Sequence, residues 1–135
     1  LLSIDLALKL HNQALSDYHS GMKYAKSASK RTLLYLEMNL AVAYMDMNRL
    51  EDAKKQFQEA LRWHQKAMSP IAEIRTYGNL AEIYMKQDSL EMALTLLTKG
   101  LHLAESKGLQ LEQIRSHYFL HQLLSPSVLF VHLQP

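Results

Sequence analysis

The sequence predicts an all-α fold, an antiparallel helix-hairpin solenoid of about five to six helices. Three observations carry this reading. A stretch of 28 residues recurs in diverged form forty positions on, with nine positions identical. Glycine and proline are scarce, four and three in 135 residues, and strand-like alternation is almost absent. Apolar positions recur instead at helical spacing, with small residues at fixed places among them.

The first helix reads without interruption over residues 4–29, with Ser3 as its N-cap. Within it, ALSDYHSGMKYAKSA (14–28) aligns with AKKQFQEALRWHQKA (53–67) once one loop residue is dropped. Residues 39–66 laid on 79–106 give nine identities in 28 positions. They include Asn39/Asn79, Leu40/Leu80, Ala41/Ala81, Tyr44/Tyr84, Leu50/Leu90 and Ala53/Ala93. Asn48, Asp88 and Gly108 stand where helices end or turn. Ser69-Pro70 reads as an N-cap followed by proline at the first helical position, where a missing N–H costs nothing. Ile114-Arg115 repeats Ile74-Arg75, and the last helix stops at Ser125-Pro126.

Residues 1–124 therefore read as one repeat domain with incomplete first and last units, and 125–135 as a tail. Val128, Leu129, Phe130, Val131 and Leu133 make the tail a short apolar run. It is expected to dock loosely where the missing helix would lie, or to be disordered. The alternative is an edge-like or swapped segment engaging a neighbouring copy. The incomplete ends predict self-association, or a larger parent protein that continues the stack.

The packing logic is the same in each copy. The first helix of a pair sets Leu40-Ala41 and Tyr44, then Leu80-Ala81 and Tyr84, on one face. The second helix carries Ala53, Phe57, Ala60 and Leu61 and their equivalents. Gly21, Ala60 and Gly100 form a matched set of small residues expected to let backbones approach. No pair can cover its own apolar face, so pairs stack.

Composition narrows function by exclusion. Apolar residues at 48% and charged residues at 21% are ordinary for a globular protein. A net charge of +2 does not by itself imply nucleic-acid or membrane partners. The absence of cysteine excludes disulfides and thiolate metal sites. No apolar run approaches the roughly 18 residues of a bilayer span. LLSIDLALKLH lacks the basic lead and cleavage site of a signal peptide, so a cytoplasmic location is expected.

His117 and His121, at i, i+4, have the spacing of two metal ligands, but no third ligand is evident and solvated or packed histidines are expected. There is no glycine-rich phosphate loop and no nucleophile setting. No catalytic residue, metal or cofactor is expected. Lys23, Lys26, Lys30 and Arg31 form a basic cluster at the end of the first helix, where the dipole favours cations. Contact with an acidic partner or nucleic acid is the alternative use. Trp63 could stack a ligand, but its equivalents Tyr24 and Leu103 mark a large core position.

The Leu-Ala-x-x-Tyr…Leu-Glu-x-Ala…Ala/Gly-Leu pattern resembles the tetratricopeptide repeat family, in its variety of about forty residues, over roughly 14–124. The resemblance implies a right-handed superhelix whose first helices line a concave groove that receives a peptide or partner helix. Carried over by register, that groove would take Tyr35, Met38, Asn39, Val42, Met45 and Asp46 from the first such helix. The next would supply Arg75, Gly78, Asn79, Glu82, Met85 and Lys86, and the last Arg115, Tyr118, Phe119 and Gln122. Methionines suit a surface that adapts to a partner. Asn39 and Asn79 could bond a peptide backbone, and the resemblance implies such a contact. Arg75 and Arg115 could offer forks to a carboxylate. Equally, both pairs could only stabilise neighbouring helices. Met38, Val42 and Phe119 stand where the family's carboxylate-clamp subclass needs polar or basic groups.

Overall fold

The computed structural model describes residues 4–24 and 30–132, and no strand occurs among them. Seven helices follow in order: α1 (Ile4–Tyr24), α2 (Lys30–Asp46), α3 (Leu50–Lys66), α4 (Pro70–Lys86), α5 (Leu90–Ser106), α6 (Gln110–Leu123) and α7 (Pro126–His132). Residues 25–29, into which the first helix was expected to run, and its expected cap Ser3 lie outside the described residues. Two compact units divide the chain, residues 1–60 and 61–135.

The turns are built alike. Asn48, Met68, Asp88 and Gly108 all have positive φ, between 54° and 64°, and they recur every twenty residues. At each turn the next residue's N–H reaches back five positions. Arg49 donates to the Tyr44 carbonyl at 2.8 Å, Ser69 to His64 at 2.9 Å, Ser89 to Tyr84 at 2.8 Å and Leu109 to Ala104 at 2.9 Å. This left-handed closure satisfies carbonyls that the helix end would leave orphaned. Ser69 occupies the N-cap before Pro70 as expected, yet its hydroxyl makes no capping bond. The turn geometry rather than the side chain starts α4.

In the first unit α1 packs against α2. Leu15, Leu40 and Ala41 are buried, as are Ala53, Phe57 and Ala60 of α3. His11 of α1 reaches Asp46 of α2, Nε2 to Oδ2 at 3.8 Å. Burial, with Glu37 and other nearby groups adding, raises the Tyr18 pKa. Burial and then Glu59 raise that of Glu37.

In the second unit α5 packs against α4 on one side and α6 on the other, and α4 and α6 also touch. Short turns make successive helices antiparallel, so α4 and α6 run the same way. The buried residues of this unit include Ile74, Tyr77, Leu80 and Ile83 of α4 and Leu96, Leu97, Leu101 and Ala104 of α5. Burying a side chain such as Leu80 stabilises by about 1.5–3 kcal/mol. Gly100 is the crossing point: a Cβ there would lie 3.6 Å from Ile74 Cγ2 and 3.8 Å from Tyr77. Its counterpart Gly21 is exposed and has nothing within 4 Å of a built Cβ. The matched small residues therefore do not all mark close approaches.

Two further expectations change. Residues 126–132, expected to dock loosely or be disordered, or else to form an edge-like or swapped segment, are helical. They form α7, which packs on α6 with Val128 and Leu129 half-buried. This short helix brings the total to seven. Trp63 is half-buried rather than enclosed, and the Lys66 ammonium lies 5.5 Å from its ring centre.

Candidate functional site

The parallel run of α4 and α6 across α5 leaves a cleft of about 630 Å³. Residues three or four apart on one helix share a face. Arg75, Gly78 or Asn79, Glu82 and Met85 therefore line it from α4, and Glu112, Arg115, Phe119 and Gln122 from α6. Ala81 and Leu97 contribute apolar floor, with Ile74 and Leu123 completing the wall.

Glu112 organises the cationic end. Its side chain is only 4% exposed, and one oxygen, Oε1, lies 3.4 Å from Arg75 Nη2 and 3.5 Å from Arg115 Nη1. Charges that are buried need such partners. The two arginine side chains remain about half exposed, at 54% and 49%, and each guanidinium carries five N–H donors, more than its contact with Glu112 uses. At the far end Gln122 donates through Nε2 to the Tyr118 hydroxyl at 3.0 Å. The Tyr118 and Phe119 rings meet edge to face at 6.0 Å.

A second polar cluster joins Gln65 to Tyr77 and Glu73 of α4. The Tyr77 hydroxyl donates to Glu73 at 2.8 Å and accepts from Gln65 Nε2 at 3.4 Å. His64 is buried, and its Nε2 has no hydrogen-bond partner among the described residues. Burial lowers its pKa, against an opposing pull from Glu73.

Of the residues expected to line a groove, Arg75, Gly78, Asn79, Glu82, Met85, Arg115, Phe119 and Gln122 meet around this one cleft. Lys86 and Tyr118 are exposed but outside its lining. Tyr35, Asn39, Val42 and Asp46 are exposed on α2 in the first unit, and Met38 is half-buried. Met45 is a correction: at 7% exposure it belongs to the core of its unit, not to an open surface. Glu112 was not foreseen.

His117 and His121 are both exposed. No group of three potential metal ligands occurs among the described residues. The side chains of Lys23, Lys26, Lys30 and Arg31 lie outside the described residues.

A family model for the tetratricopeptide repeat matches residues 31–106, more than half of the chain. The chain belongs to the tetratricopeptide repeat family. No curated protein and no solved structure matches it. Tetratricopeptide repeats are helical protein-interaction modules, and the repeated turns at residues 48, 68, 88 and 108 show how this chain builds one. No described helix is long and apolar enough to cross a membrane.

Proposed function

We propose that this tetratricopeptide repeat is a non-catalytic binding module that receives a peptide or partner helix in the cleft between α4 and α6. One observation carries the reading. Asn79, Arg75, Arg115 and Gln122 converge on a cleft whose floor is apolar. A small set of polar groups over an apolar floor is the usual make-up of a recognition site. Asn79 supplies a donor and an acceptor for a peptide backbone, and Met85 and Phe119 supply contact area.

The test begins with partner capture from cell extract on the immobilised chain. The affinity of the captured protein is then compared with that for the double variant Asn79→Ala, Arg115→Ala. Loss of binding with unchanged helicity is expected. An unchanged affinity refutes the cleft as the site.

A second reading is self-association, favoured by the exposed apolar residues Leu111, Ile114, Phe130 and Val131 of α6 and α7. It predicts a concentration-dependent mass in sedimentation that Ile114→Asp abolishes. A monomer at every concentration refutes it.

A further inference from the structure

The cleft has two electrically different ends. At the N-terminal end of α4 and α6, two guanidiniums share one buried carboxylate, which leaves a net charge of +1. Glu112 prevents the two cations from driving each other apart and holds both over the same spot. Their unspent donors are thus arranged before any ligand arrives, which lowers the ordering cost of binding. Seven residues along α4 from Arg75 stands exposed Glu82, about 10 Å further down the helix axis. Between the ends the walls are Gly78 and Phe119 over Leu97.

Resting on the binding reading above, we infer that the cleft selects a peptide by charge order. Its occupant sets an acidic group over Arg75 and Arg115, a basic group near Glu82, and apolar side chains between them. About three extended residues span the gap, or about seven helical ones. A polyanion such as nucleic acid fits poorly, because it would lay negative charge on Glu82 and phosphates over an apolar floor. Exposed charge pairs of this kind set orientation and partner choice more than they set affinity.

The test is a display library of random dodecapeptides, selected separately on the parent chain and on Glu82→Lys. Glu82 is exposed, so the variant is expected to keep the parent's helicity, which circular dichroism checks. Peptides from the parent are expected to pair an acidic and a basic residue across an apolar stretch. Those from the variant should replace the basic residue with an acidic one. Individual parent-selected peptides should lose roughly twofold to fivefold in affinity on Arg115→Gln.

Indistinguishable pools from parent and Glu82→Lys overturn the charge order. Phe119→Asp, in the middle of the cleft, separates the two readings. If it abolishes binding while the pools stay alike, only the charge order falls. If selected peptides bind it as well as they bind the parent, or if nothing is enriched, the cleft falls too.

Discussion

Replacing Met68 with glycine should stabilise the protein. Met68 sits at φ 54°, where Cβ crowds the neighbouring carbonyl and costs an ordinary residue about 1–2 kcal/mol. Its three counterparts are Asn48, Asp88 and Gly108, types that tolerate or favour this region. The methionine side chain is 82% exposed, so truncation forfeits little buried area. Glycine gives back roughly 0.5–1 kcal/mol by enlarging the unfolded ensemble. The balance is a gain of about 0.5–1 kcal/mol, or roughly 2–5 °C in Tm. Guanidinium and thermal unfolding of Met68→Gly, followed by circular dichroism, measure it. Met68→Ala is the control, because it removes the side chain and keeps Cβ. Equal stability of the two variants, or a loss on Met68→Gly, refutes the strain argument.

Four other outcomes can be measured in the same assay. Gly100→Ala should be tolerated or stabilising by up to about 1 kcal/mol, since the new Cβ meets ordinary contacts. Gly100→Leu should lose about 1–3 kcal/mol by overpacking against Ile74 and Tyr77, and an unchanged midpoint would show that the crossing is not tight. His64, whose pKa burial lowers, binds fewer protons folded than unfolded. Stability should therefore fall as pH drops below about 6.5, and His64→Ala, which copies Ala104 at that register, should remove that component. An identical pH profile for the variant counts against it. Glu112→Gln should cost about 1–2 kcal/mol, moderated by the exposure of both arginines. In a cycle with Arg75→Ala the two losses should not add; simple additivity would break the proposed pairing.

How much of this was legible in the chain depends on what decided each feature. Helix hairpins were legible because their causes are local or periodic: stripes of Leu40, Ala41 and Tyr44, and Asn, Asp or Gly where φ turns positive. Met68 was not legible by residue type, since methionine has no preference for that conformation. Only the twenty-residue interval between its neighbours exposes it. The cleft was half legible. Register alone brought Arg75 and Arg115 to one place, because α4 and α6 are successive copies of one element. Register could not say that Met45 would be buried while Met85, its counterpart, lines a cleft. Glu112 pairs with a residue 37 positions away, a distance at which sequence spacing carries no geometry until the hairpin register is imposed. In that register it takes the place of Ala72, so a carboxylate standing where the repeat has a small residue was the missed signal.

The tail makes the same argument from the opposite side. Ser69-Pro70 reads as a helix start and Ser125-Pro126 as a stop, although the residues are the same. Proline has one physical consequence at both places. It cannot donate a hydrogen bond to the turn before it, and its fixed φ suits the first turn of the helix after it. Both prolines open a helix here, α4 and α7. After Pro126 the apolar run 128–131 reads as a loosely docked or disordered tail, with an edge-like or swapped segment as the alternative. The run is helical and packs on α6, and weak propensities commonly yield to tertiary contact. The helix is short, and Phe130 and Val131 stay exposed on it. Proline therefore accounts for where α7 begins, and the apolar run supplies the half-buried Val128 and Leu129 of the helix that packs on α6.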